Sequence, residues 1–166
     1  MGVFAGPINY TTFYVAAGVE RDYRTIFLEK IGQNRFTDIN VDLDEEEARG
    51  WVTIENPLVT DFDTNSVFWG EEVLLTLRHD VIKLSPTSVQ IMLRRECESH
   101  REKLGKEKLS KTEIEEIKDH LLKTLRRKAL PSIKTYDMAW NVEKGLVRFW
   151  STSKKVNEAF VDLFQE

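Results

Sequence analysis

Two long amphipathic stripes, set between runs of strand-like sequence, constrain this chain more than anything else in it. Ser85-Pro86 opens the first stripe, with Ser at an N-cap and Pro at the first helical position, where its missing N–H costs nothing. Val89, Leu93, Cys97, His100 and Leu104 then recur at helical spacing until Gly105 interrupts. Ser110-Lys111-Thr112-Glu113 is a capping box, in which the first and fourth residues satisfy each other's free backbone donors. Ile114, Ile117, Leu121 and Leu125 follow as a second stripe that ends at Leu130-Pro131. Two helices of about 20 residues joined by so short a break can bury their stripes only on each other. The pattern predicts an antiparallel hairpin roughly 30 Å long, inserted at about 86–130 as a projecting arm.

The flanks read as β structure. Thr11 to Gly18 is β-branched and aromatic and closes on Gly. Gly50 to Ile54 is a short strand stopped by Asn56-Pro57. Ser66 to Trp69 and Glu72 to Leu84 form a hairpin across Gly70. In the longer strand Leu75, Leu77, His79, Val81 and Lys83 share the expected core face, and Leu74, Thr76, Arg78, Asp80 and Ile82 the opposite one. Ser132 to Asn141 and Leu146 to Ser151 pair across Glu143-Lys144-Gly145. A helix is expected from Asp22 to Ile31, capped by Asp22 and ended by Gly32, with Tyr23, Phe27 and Ile31 on one face. Another is expected after Ser153, with Val156, Phe160, Leu163 and Phe164 inward. The order β-α-β-β-β-αα-β-β-α mixes mainly antiparallel sheet with segregated helices, so the expected class is α+β, one domain over residues 1–166.

At 166 residues the chain can bury one real core. No apolar run reaches the roughly 18 residues of a membrane span. Met1 to Tyr10 lacks the basic start and apolar stretch of a signal peptide. Cys97 stands alone, so no internal disulfide forms and a reducing, cytoplasmic setting is expected.

Chemistry is hard to find. His79, His100 and His120 include no pair at helical metal spacing. His100 and Cys97 share the apolar stripe and read as a core histidine and a buried, inert thiol. Asp42, Asp44, Glu45, Glu46 and Glu47 lack the glycine and spacing of a calcium loop and read as solvated, as do Asp61 and Asp63. Glu116-Ile117-Lys118 has the Glu-x-Lys spacing of some metal nucleases but falls in mid-helix. Phosphate-cradling glycine loops are missing. No cofactor, no metal and no catalytic residue is expected, and an enzyme is the least favoured class.

Charge is more informative. The net charge is −4, yet Lys83 to Lys134 carries 14 basic and 8 acidic residues, a net of +6, while the remainder stands at −10. The candidate DNA-binding residues are Arg94, Arg95, Arg101, Lys103, Lys106, Lys108, Lys111, Lys118, Arg126 and Arg127, with Lys123 and Lys128 nearby. Phosphate recognition needs many long cationic side chains rather than one shaped site. Against this stand Glu113, Glu115, Glu116 and Asp119, which can pair with these cations within the helices. Arg126, Arg127 and Lys128 also sit where cations favour a helix C-terminus.

From about Thr11 to Glu166 the order of elements resembles the N-terminal half of the recombination-associated protein RdgC family. Gly50-Trp51-Val52, Leu84-Ser85-Pro86, Lys111-Thr112-Glu113, Lys118-Asp119, Leu130-Pro131, Trp140, Gly145-Leu146 and Ser153-Lys154-Lys155 resemble that family's motifs in the same order. The resemblance implies a nucleoid-associated protein that binds duplex DNA without strong sequence preference. It also implies a dimeric ring around the duplex and a restraint on the recombinase. Family members are nearly twice this length, and Ser132-Ile133-Lys134 stands where they tend to have Arg-Ala-Phe. The competing class is a protein-interaction module that uses the charged arm without DNA binding or catalysis.

Overall fold

In a computed structural model, residues 2–4, 9–16, 18 and 22–166 are described. Met1 and residues 5–8, part of the segment read for a leader, lie outside the described residues, as does Ala17 in the first expected strand. The elements run β1 (Thr11–Tyr14), α1 (Tyr23–Gln33), β2 (Glu47–Val52), α2 (Thr64–Val67), β3 (Phe68–Trp69), β4 (Glu72–Val81), α3 (Pro86–Leu104), α4 (Lys111–Lys128), β5 (Ser132–Asn141), β6 (Leu146–Phe149) and α5 (Lys154–Phe164). The class is α+β. The strands form one mainly antiparallel sheet in the order β1-β6-β5-β4-β2, with β3 paired to β4. Thr11 lies opposite Phe149, Met138 opposite the same Phe149 from the other side, and Phe68 opposite Val73.

Two compact units emerge. The first takes the described residues of Met1–Asp38 with Ala48–His79 and Ile133–Glu166; the second takes Ile39–Glu47 with Asp80–Ser132.

The first unit holds the apolar core. Val73, Leu75 and Leu77 of β4 meet Met138 and Trp140 of β5, Val147 and Phe149 of β6, Ile31 of α1 and Phe160 of α5. Phe160 stacks on Phe149 at 4.1 Å and touches the rings of Phe13, Trp51 and Phe164. The expected core face of β4 is therefore correct at Leu75 and Leu77. Its other face is buried too: Leu74, Thr76 and Arg78 are each less than a tenth exposed. Thr76 donates its hydroxyl to Asp137 at 2.7 Å, and the Arg78 guanidinium lies 4.1 Å over the Phe36 ring. Alternation within one strand cannot reveal that polar side chains are covered when their partners come from distant segments.

Gly50 explains its own place in the Gly-Trp-Val motif. Trp51 N–H donates to the Asn34 carbonyl at 3.0 Å and Phe36 N–H to the Trp51 carbonyl at 2.9 Å. A Cβ on Gly50 would lie 2.5 Å from the Phe36 backbone, a close approach that only glycine permits.

Several local expectations need correction. Asp22 occupies the N-cap position of α1 without a side-chain cap, its carboxylate accepting instead from the Thr25 hydroxyl. The helix runs through Gly32 to Gln33, because an interior glycine weakens a helix without forcing its end. Ser66 is helical rather than the start of a strand: Asp63 and Ser66 close a capping box on α2. Asp63 is thus a cap and no mere loop carboxylate, and the Ser66 N–H holds its pKa below the usual value. Ser153 makes no side-chain cap on α5.

Candidate nucleic-acid interface

The second unit is built on the hairpin that the stripes predict. Ser85 accepts from the Ser88 N–H at 3.3 Å and Pro86 takes the first helical turn. Gly105, at φ 61°, ends α3 in a Schellman arrangement. Lys106 N–H reaches the Arg101 carbonyl at 3.1 Å and Gly105 N–H the Glu102 carbonyl at 3.2 Å. Ser110 and Glu113 then close the expected capping box on α4. These two devices reverse the chain within six residues, 105–110, and gather Lys103, Lys106, Lys108 and Lys111 around the turn.

The hairpin seam is thin. No residue of α3 is buried, and Leu121 is the one buried residue of α4. Val89, Leu93 and Cys97 are half-buried, so Cys97 is less enclosed than its stripe suggests. His100 is exposed, which overturns its reading as a core histidine. A hairpin of two helices has no third element to cover the end of its stripe. His100 and His120 instead line an open concavity of about 330 Å³ with Glu96, Glu113, Glu116 and Ile117. Glu96 and His100, like Glu116 and His120, are spaced i,i+4, which a search for paired histidines passes over. Among the described residues no group of three or more His, Cys, Asp or Glu is arranged to hold a metal ion.

The ten candidate cations divide into two groups. Arg126 bonds Asp44 at 3.2 Å and also Glu46, and its side chain keeps only 14% of its exposure. Arg127 pairs with Asp42, holding that carboxyl below the usual carboxylate range, and Lys123 lies 3.9 Å from Asp44. Segment 39–47 is therefore a clasp on the C-terminal end of α4, and its carboxylates stay exposed as expected of a solvated loop. Asn40 shapes it by accepting from Asp42 N–H, Asp44 turns it at φ 58°, and Ile82 N–H donates to the Glu46 carbonyl at 2.8 Å. Some 80 residues separate these partners in sequence, so no local pattern signals the pairing.

The other group has no such acidic partners. Arg94, Arg95, Arg101, Lys103, Lys108, Lys111 and Lys118 are exposed and form no ion pair among the described residues. Lys106 alone at the tip is engaged, 2.6 Å from Glu113. That ion pair, with the Ser110 N–H and hydroxyl, holds the Glu113 carboxyl down to about 2. An exposed ion pair of this kind contributes little to stability. Glu98, Glu102, Glu107 and Glu115 lie among the free cations and are exposed as well.

Among the described residues no helix is long and apolar enough to cross a membrane. No protein-family model matches the chain, and no curated protein shows significant similarity to it.

Proposed function

We propose that this protein binds duplex DNA without sequence preference, as a non-catalytic accessory protein of recombination. The observation that carries the reading is the set of exposed, unpaired cations along α3 and around the hairpin tip, on a segment of net charge +6. Arg126 and Arg127 are set aside as phosphate ligands, since the acidic clasp already occupies them. The RdgC-like order of motifs supports the recombination role, a nucleoid location, a homodimeric state and a restraint on the recombinase.

Fluorescence anisotropy with two unrelated duplexes, at two salt concentrations, tests the reading. Replacing Lys103, Lys108 and Lys111 by Ala should weaken both duplexes alike. The log-log salt slope should fall by about 0.9 for each phosphate that is no longer neutralised. Lack of binding by the wild-type chain even at low salt would sink the proposal.

One observation favours the second reading, a protein-interaction module. Ile91 and Met92 of α3 are 61% and 41% exposed, an apolar pair outside the stripe of Val89, Leu93 and Cys97. Replacing both by Ser would leave DNA affinity unchanged under the first reading.

A further inference from the structure

The arm's free cations are not spread evenly around it. Glu96 and His100 of α3 line one open concavity together with Glu113, Glu116 and His120 of α4. These five residues therefore share one broad face of the hairpin. At 3.6 residues per turn, Arg94 and Arg101 fall on the opposite flank of the stripe of Leu93 and Cys97 from Glu96. Lys111 and Lys118 likewise fall on the opposite flank of the stripe of Ile117 and Leu121 from Glu116 and His120. Leu122, four residues beyond Lys118 and so on its flank, lines a separate concavity with Val89 and Glu46.

Two rows of cations thus meet on the second broad face. Arg94 and Arg101 are seven residues apart, as are Lys111 and Lys118, a rise of about 10.5 Å along each helix. All four are exposed and form no ion pair among the described residues. The same geometry turns Arg95 to the outer side of α3 and Lys103 toward the concavity. The arm has no aromatic ring to stack on a base, since residues 70–135 include no Phe, Tyr or Trp. It offers a nucleic acid charge instead.

We propose that the duplex lies on this one face, its phosphates held by Arg94, Arg101, Lys111 and Lys118, with the concavity turned away. The inference rests on the duplex-binding reading and says which surface does the binding. Each row also carries one exposed carboxylate within a turn of both its cations, Glu98 on α3 and Glu115 on α4. These two oppose the bound phosphates at close range. Glu96 and Glu116 act only through the thickness of a helix, about 10–12 Å. That exceeds the screening length of about 8 Å at physiological salt.

Two double variants with the same change in charge test the face, by fluorescence anisotropy with a duplex. Glu98→Gln with Glu115→Gln should tighten binding about threefold at about 0.15 M salt. Glu96→Gln with Glu116→Gln should leave it within about 1.5-fold. At about 0.01 M salt, where screening reaches about 30 Å, the two variants should converge. Arg94→Gln with Arg101→Gln should weaken binding about tenfold or more, and Arg95→Gln less than about twofold. Circular dichroism and urea unfolding check that every variant keeps the wild-type fold. Equal tightening by both carboxylate pairs at about 0.15 M salt would show that the duplex senses the arm's charge as a whole, and the one-face assignment falls. Tightening by the Glu96 and Glu116 pair alone would put the duplex on the concavity. No response to either pair, with wild-type binding intact, would overturn the face and leave the DNA reading standing. Absence of wild-type binding would overturn both.

Discussion

The two units of this protein are held by different physics. The sheet unit encloses an aromatic cluster around Phe149 and Phe160, both effectively fully buried, and covers both faces of β4. The hairpin unit buries one α4 side chain and none of α3, and secures its α4 end with Arg126, Arg127 and Lys123 against Asp42, Asp44 and Glu46. Apolar burial is worth about 25 cal/mol per Å² and is not subject to charge screening, while exposed ion pairs contribute little and are screened. A unit stabilised mainly by local helix devices and charge stays folded without drawing its cations into a core. That leaves long basic side chains free for an external polyanion.

The largest effect should come from the sheet unit. Phe160→Ala removes the ring at the centre of the cluster and should cost about 3–5 kcal/mol in urea unfolding, whereas Leu121→Ala in the hairpin should cost about 2. Equal costs would erase the contrast between the units. Gly50→Ala comes next. The new Cβ meets backbone at 2.5 Å with no flexible side chain to yield, so a loss of about 2–3 kcal/mol is expected by the same measurement.

Charge changes should be smaller and salt-sensitive. Arg126→Ala breaks the clasp at Asp44 and Glu46 and should cost about 1 kcal/mol, less at high salt, because its partners are more than half exposed. Its DNA affinity should stay within about twofold of wild type. A weakening as large as that of the tip variant would return Arg126 to the phosphate-binding set.

The smallest effect concerns pH at the tip. Glu113 is depressed in the folded state from 4.5 to about 2, so the stability it adds is fully present above about pH 4.5. It disappears as pH falls toward 2. Carbon-13 carboxyl titration should show that low midpoint, and Lys106→Ala should raise it. A midpoint unmoved by Lys106→Ala would mean that the Ser110 cap alone depresses the carboxyl.

The sequence by itself determined the elements whose signals are local. The caps at Ser85 and Ser110, the Gly105 reversal, the Gly145 turn at φ 60° and the bounds of β5 at Ser132 and Asn141 all depend on residues within a few positions of one another. Periodicity likewise identified Leu75, Leu77 and Phe160 as core. Only the tertiary structure decided what each charge does. Arg126 and Lys111 carry the same formal charge at opposite ends of one helix, and nothing within a turn of Arg126 signals its acidic partners. A segment some 80 residues earlier in the chain engages Arg126 and leaves Lys111 to solvent. The exposure of His100 and the covered polar face of β4 are of the same kind. Burial and pairing are properties of the space around a side chain, and distant segments of the chain build that space.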